Sequence, residues 1–161
     1  MSKLIVVGRK PPRGEVSVGG SKNSSVAIVP AAILGEGESR IENLPRIEDV
    51  RVFAEILADL GVVVKADGAT MSVSPNGFSS HVAPYDLVRK LRASYYLMGV
   101  LLAKLGKAEV GLPGGCDIGP RPIDQHLKGF RALGAEAVVE GGVVKLHAPK
   151  GLRGAPIYLD I

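Results

Sequence analysis

Apolar positions follow two rhythms along this chain, and the same succession of rhythms occurs twice. Val50, Phe53, Leu57 and Leu60 stand three and four residues apart, the spacing of one helical face. Gly61 follows them and supplies the left-handed backbone that closes a helix. Strands are predicted over 62–66 and 71–73, turning at Asp67-Gly68. Further on, Ile123, Leu127, Phe130 and Leu133 repeat the helical face, Gly134 repeats the stop, and strands are predicted over 135–139 and 143–147, turning at Glu140-Gly141. Similar leads precede the two helices: Gly37-Glu-Ser-Arg-Ile-Glu-Asn-Leu-Pro45 and Gly106-Lys-Ala-Glu-Val-Gly-Leu-Pro113. The predicted unit is strand, helix, hairpin, in two repeats of an α/β fold.

Each unit is preceded by a stretch without charge, Asn23 to Gly35 and Ala93 to Ala103. Ser25 and Ser94 lie 69 positions apart, as do Gly37 and Gly106, so a helix over 23–34 corresponds to one over 92–103. Helices apolar on nearly all faces belong inside a fold, and Tyr95-Tyr96 is read as core. A strand is expected to lead into each, over 15–18 and around 81–84, and 155–161 reads as the leading strand of a third unit. The repeats thus run about 22–80 and 81–154, with a third beginning at 155–161. Both uncharged stretches fall short of the roughly 18–20 apolar residues of a membrane helix. Leu4 to Val7 is too short for the core of a secretory signal, so a cytoplasmic protein is expected.

Composition modifies this picture in one respect. With 46% hydrophobic and 22% charged residues, the chain is able to bury a core, which excludes a disordered tail. Its 161 residues also suit a single domain. The repeat count, however, predicts a domain whose third unit only begins. The net charge of +4 comes from scattered basic residues, which argues against a nucleic-acid surface and only weakly favours a small anionic ligand. One cysteine, Cys116, excludes an internal disulfide framework and any cysteine-rich zinc site.

The two repeats differ at one place. Pro45 and Pro113 are offset by 68 whereas Leu60 and Leu133 are offset by 73, so five more residues lie between proline and helix end in the second repeat. They fall in Gly114-Gly-Cys-Asp-Ile-Gly-Pro-Arg-Pro122, a glycine-flanked, proline-bounded candidate functional loop. Cys116 is either an inert small residue or a thiol made nucleophilic by neighbouring cations such as Arg121. Lys22-Asn23 and Arg92 open the two buried helices. They are either solvated boundary residues or two halves of an anion site at helix N-termini. Asp124 either favours its own helix N-terminus or accepts hydrogen bonds from a ligand, and His126 is either a ligand contact or a half-buried surface side chain.

Three segments carry a resemblance that covers essentially the whole chain. Gly14-Glu-Val-Ser-Val-Gly-Gly-Ser-Lys-Asn23, Ala83-Pro-Tyr-Asp-Leu-Val-Arg-Lys-Leu-Arg-Ala-Ser94 and Leu112-Pro-Gly-Gly-Cys-Asp-Ile-Gly-Pro-Arg-Pro-Ile-Asp124 resemble, in order, the N-terminal part of the UDP-N-acetylglucosamine enolpyruvyl transferases. The resemblance implies transfer of the enolpyruvyl group of phosphoenolpyruvate to the 3-hydroxyl of UDP-N-acetylglucosamine, an early step of peptidoglycan synthesis, with no metal or organic cofactor. It also implies an inside-out α/β barrel of the enolpyruvyl transferase type, three repeats per domain with the apolar helices buried. Two of the three would be present here, in 22–161, while 1–21 would pack with a second domain. By the same resemblance Lys22, Arg92 and Arg121 bind the phosphate and carboxylate of phosphoenolpyruvate, and Asn23 holds the amino sugar. Arg121, Pro122, Ile123 and Asp124 line the uridine side with His126 nearby. Cys116 acts as general acid at the enolpyruvyl methylene and is the residue the antibiotic fosfomycin alkylates.

Members of that family run to roughly two and a half times this length, and their general base lies beyond the residues matched here. The expectation is therefore no turnover by this chain alone and a need for a C-terminal part of the same protein. Two alternatives stand beside it. One is the related transferase of the shikimate pathway, disfavoured by the Pro-Gly-Gly-Cys and Arg-Pro-Ile-Asp motifs. The other is a non-catalytic or split-enzyme binding module that needs a C-terminal partner, with exposed apolar edges through which it could instead self-associate.

Overall fold

Each repeat closes the same backbone bonds, and those bonds carry the two offsets read from the sequence. The computed structural model describes residues 3–8, 11–112 and 122–160. The Leu44 N–H donates to the Ala69 carbonyl and the Leu112 N–H to the Gly142 carbonyl, both at 2.8 Å. Past each outer helix, Val62 N–H donates to Leu57 and Ala135 N–H to Phe130, both at 2.9 Å. The donors of the first pair are 68 positions apart and those of the second pair 73, so the five additional residues lie between Leu112 and Phe130.

The first repeat comprises α1 (Lys22–Ala31), a 3-10 turn over Ala32–Leu34, β1 (Ser39–Ile41), α2 (Glu48–Asp59), β2 (Val63–Asp67) and β3 (Thr70–Ser74). The second comprises α3 (Tyr85–Val88), a 3-10 turn over Arg92–Tyr95 running into α4 (Tyr96–Leu105), β4 (Lys107–Gly111), α5 (Asp124–Ala132), β5 (Glu136–Glu140) and β6 (Val143–His147). The sheets are ordered β1-β3-β2 and β4-β6-β5, with every neighbouring pair antiparallel. The last strand of each repeat is therefore the middle one, and its two flanking strands run parallel to each other. Gly61 and Gly134, at φ 89° and 93°, end the outer helices as expected.

Inside, α1 packs on α2 and α4, and α4 packs on β4 and β6. Val29, Ile33, Phe53, Ile56, Leu57, Leu97 and Leu101 are completely enclosed. Burial of each such side chain is worth roughly 1.5–3 kcal/mol. The two inner helices differ in where they are regular. Pro30 has no N–H for the Val26 carbonyl, and α1 gives way to the 3-10 turn two residues later. Gly99 stands at the matching position of α4, which runs on to Leu105 and closes on Gly106 at φ 70°. The Lys104 ammonium donates to the Gly35 carbonyl at 2.8 Å, tying the end of one inner helix to the end of the other.

Three expectations need correction. Residues 15–18 form no strand: Val16 and Val18 are 88% and 92% exposed, and β1, with three residues paired to β3, leaves the 15–18 backbone unladdered. The leading segment of the second repeat does reach its sheet, through a single parallel bridge between Val82 and Glu109. Residues 155–160 form no strand either. They lie beside α5, where Lys128 Nζ meets Asp160 Oδ2 at 2.5 Å and stands 5.8 Å from the centre of the Tyr158 ring. Tyr96 is exposed rather than core, and Tyr95 is half-buried. Ile28, Leu34, Tyr96 and Leu105 leave an apolar side of the inner helices in solvent, as expected for a core that is not closed. Among the described residues no helix is long and apolar enough to cross a membrane.

Candidate functional site

The start of α1 is fixed on both sides. Ser21 caps the helix, its Oγ accepting from the Ser24 N–H at 3.4 Å. One residue earlier, a Cβ on Gly20 would lie 1.8 Å from the Asn43 carbonyl oxygen, so glycine alone allows the chain entering α1 to press on the β1–α2 connection. Lys22 and Asn23 follow, both exposed in the first helical turn. Lys22 Nζ lies 2.7 Å from Asp49 Oδ2, across the gap to the first turn of α2. Next to it, Glu48 is engaged by Arg51 of its own helix, with Arg51 Nε donating to Glu48 Oε2 at 2.8 Å. That hydrogen bond, with the charge of Arg51 and more weakly that of Lys90, holds the Glu48 carboxyl below the usual range.

Lys90 belongs to the second repeat, two residues before Arg92. The acidic first turn of α2 thus borders both candidate helix starts, Lys22 directly and the approach to Arg92 through Lys90. Arg92 is half-buried and opens the 3-10 turn that leads into α4. Ser25 and Ser94, equivalent by the 69-residue offset, are both buried but differ in bonding. Ser25 Oγ donates to the Ser21 carbonyl at 2.7 Å, whereas Ser94 Oγ has no hydrogen-bond partner among the described residues.

The start of α5 meets the same 3-10 turn. Pro122 is exposed, Ile123 is half-buried at the helix N-cap, and Asp124 is the first helical residue, where the helix dipole favours its charge. The His126 ring meets the Tyr95 ring edge-on, with centroids 5.3 Å apart and planes at 60°. Gln125 Nε2 donates to the Asp160 carbonyl at 3.0 Å and to Asp124 Oδ2 at 3.4 Å. Two groups result: Lys22 and Asn23 beside α2, and His126 at the start of α5 against Tyr95 of the turn that Arg92 opens. Cys116 and Arg121 lie outside the described residues.

Asp49, Lys90 and Tyr95 were missed as parts of the site by sequence reasoning. A first-turn acid on both outer helices, Asp49 and Asp124, is the one signal that could have singled out Asp49. Cations at two helix starts, the first of them paired with Asp49, suit a small ligand with more than one anionic group. Among the described residues no group of three or more His, Cys, Asp or Glu side chains converges to hold a metal.

Comparison with known proteins identifies relatives in sequence and in fold. The UDP-N-acetylglucosamine 1-carboxyvinyltransferase 2 of Latilactobacillus sakei is 50% identical over 161 residues, all of this chain and 38% of that protein. The protein of the same name from Bacillus subtilis is 48% identical and is covered to 37%. The chain thus spans little more than a third of the curated relatives it matches. Among solved structures, the enolpyruvyl transferase NikO from Streptomyces tendae superposes with a TM-score of 0.74 at 28% identity, over 87% of this chain and 31% of that one. An EPSP synthase from Acinetobacter baumannii shares the fold, with a TM-score of 0.67 at 21% identity, over 88% of this chain and 33% of that one. Both carry the same α/β architecture, of which the present residues form a part. The sequence profile described as EPSP synthase (3-phosphoshikimate 1-carboxyvinyltransferase) matches residues 6–161, and the chain belongs to that family.

Proposed function

We propose that the chain is the N-terminal part of a cytoplasmic UDP-N-acetylglucosamine enolpyruvyl transferase serving peptidoglycan synthesis. The observation that carries this reading is the level of identity. It stands near 50% along the whole chain to proteins named for UDP-N-acetylglucosamine, against 21% to the EPSP synthase that shares the fold. In the reaction the sugar 3-hydroxyl oxygen forms a bond to C2 of phosphoenolpyruvate while C3 takes a proton. Loss of a proton from C3 and cleavage of the C2–O bond then release phosphate and restore the double bond.

Lys22, Arg92 and Arg121 bind the phosphate and carboxylate and stabilise the charge that grows on the leaving phosphate. Cys116 is the general acid at C3 and the thiol open to alkylation by fosfomycin. Asn23 holds the sugar, and Pro122, Ile123, Asp124 and His126 line the uridine side. The base that takes the hydroxyl proton belongs to the remainder of the polypeptide, which also packs against residues 1–21 and covers Ile28, Leu34, Tyr96 and Leu105. The 161 residues alone give no turnover, and those apolar positions favour self-association.

Phosphate release from phosphoenolpyruvate in the presence of UDP-N-acetylglucosamine tests the reading. The complete polypeptide carrying this chain is expected to turn over, and Lys22→Ala is expected to lower kcat/KM by about a hundredfold or more. Turnover with shikimate 3-phosphate in place of the sugar nucleotide would assign it to the other branch of the family. Release by the 161 residues alone would refute the need for the remainder.

A further inference from the structure

Of the two carboxylates in the first turn of α2, one is neutralised within its own helix and the other is turned toward the neighbouring helix start. Glu48 is bound by Arg51, which also reaches Glu55. Asp49 is paired with Lys22 at 2.7 Å. The two partners differ in rigidity. Asp49 has a short side chain, is 26% exposed, and stands on a helix anchored by Val50, Val52 and Phe53, all buried. Lys22 carries four rotatable side-chain bonds, is 59% exposed, and sits where the dipole of α1 repels a cation. Left to itself, such an ammonium would spread over many rotamers.

We propose that Asp49 is the positioning residue for Lys22, fixing its ammonium at the edge of the site so that the phosphate of phosphoenolpyruvate meets a cation already in place. This rests on the reading of Lys22 as a phosphate ligand. The main chain of Lys22 is fixed by Gly20 on Asn43, and the tip of its side chain by Asp49, so both of its ends are referred to the first repeat's β1–α2 segment. An exposed ion pair adds little net stability. The role of this one lies in orientation, since a displaced binding group costs rate far from any change in fold.

In the complete polypeptide, Asp49→Ala is expected to raise the KM for phosphoenolpyruvate between about ten- and a hundredfold. The fall in kcat is expected to be smaller and the melting temperature to stay close to that of the parent. Asp49→Asn, which keeps the volume and one acceptor oxygen, should fall between parent and alanine variant. In a Lys22→Ala background Asp49→Ala should add nothing, because its effect passes through the lysine. An unchanged or lowered KM in Asp49→Ala, or an effect that adds in full to that of Lys22→Ala, would overturn the proposal. The pairing is also read without catalysis, in 15N-labelled chain of these 161 residues, where the Lys22 ammonium signal should shift on Asp49→Ala. A shift without enolpyruvyl transfer by the parent polypeptide sinks the functional reading and keeps the pair; no shift sinks the pair.

Discussion

The two outer helices come from equivalent positions and are packed very differently. On α2, five side chains are buried: Val50, Val52, Phe53, Ile56 and Leu57. On α5 Leu127 alone is buried, while Ile123, Phe130 and Leu133 are half-buried. The difference arises from neighbours rather than from local sequence. Helix α2 has α1 on one side and α3 of the following repeat on the other. Helix α5 touches β5 and the Arg92–Tyr95 turn of its own repeat, and from beyond that repeat its described neighbour is residues 155–160, a segment with no regular structure. One repeat needs the next to bury its outer helix, so stability in this fold is shared between repeats.

The sharpest test of that contrast is a matched truncation. Phe53→Ala is expected to cost about 3–5 kcal/mol, the range for an aromatic ring removed from a sealed core. Phe130→Ala, at a half-buried ring, should cost roughly 1–2 kcal/mol. Urea unfolding of both variants decides the matter, and equal losses would show that α5 is as well covered as α2.

A second pair concerns the helix stops. Both Gly61 and Gly134 have positive φ, but a Cβ on Gly61 would lie 2.4 Å from the Gly77 carbonyl oxygen, while none of the described residues lies within 4 Å of one on Gly134. Gly134→Ala should therefore cost about 1 kcal/mol, for the left-handed backbone alone. Gly61→Ala should cost about 2 kcal/mol or more, because backbone must also move. A larger loss at Gly134 in thermal melts would contradict this ordering.

The smallest effect separates the hairpins. In β5–β6, Lys145 Nζ donates to Glu140 Oε2 at 2.9 Å, and that hydrogen bond, then the lysine charge, holds the Glu140 carboxyl below its ordinary value. Asp67 and Ser72 stand at the matching positions of β2–β3. Because the folded-state pKa of Glu140 is depressed, the stabilisation is full above the ordinary carboxylate range and is lost as pH falls through the lowered value. Amide exchange, corrected for intrinsic rates, should show protection of β5–β6 falling relative to β2–β3 between neutral and acid pH. A constant ratio would remove the pair from consideration.

The parts of the fold legible in the sequence were those set by local rules. Helix faces at three- and four-residue spacing, glycine stops and hairpin turns appear where the pattern places them, and the offsets of 68 and 73 reappear as hydrogen bonds. Leading strands depend on an edge elsewhere in the chain. Apolar alternation at Val16 and Val18 describes a strand able to pair, and only the bridge at Val82 finds a partner. Similarly, the cations at the helix starts were visible, but the acid facing Lys22 was not, because Asp49 approaches it only once α1 lies on α2. His126 against Tyr95 is a second contact of this kind, between residues 31 positions apart.

The strand order β1-β3-β2 also bears on how the chain assembles as it is synthesised. While residues 39–67 emerge, their two strands have no ladder between them, and the sheet forms only when Thr70–Ser74 arrives to fill the centre. The insertion completes the first sheet before β4 has been made. Its middle strand is then paired on both edges, and the second repeat, built to the same pattern, finds no vacant place there for β6. Ordered emergence thus guards hairpins of like length and register against exchanging partners, a failure to which chains with internal repeats are prone.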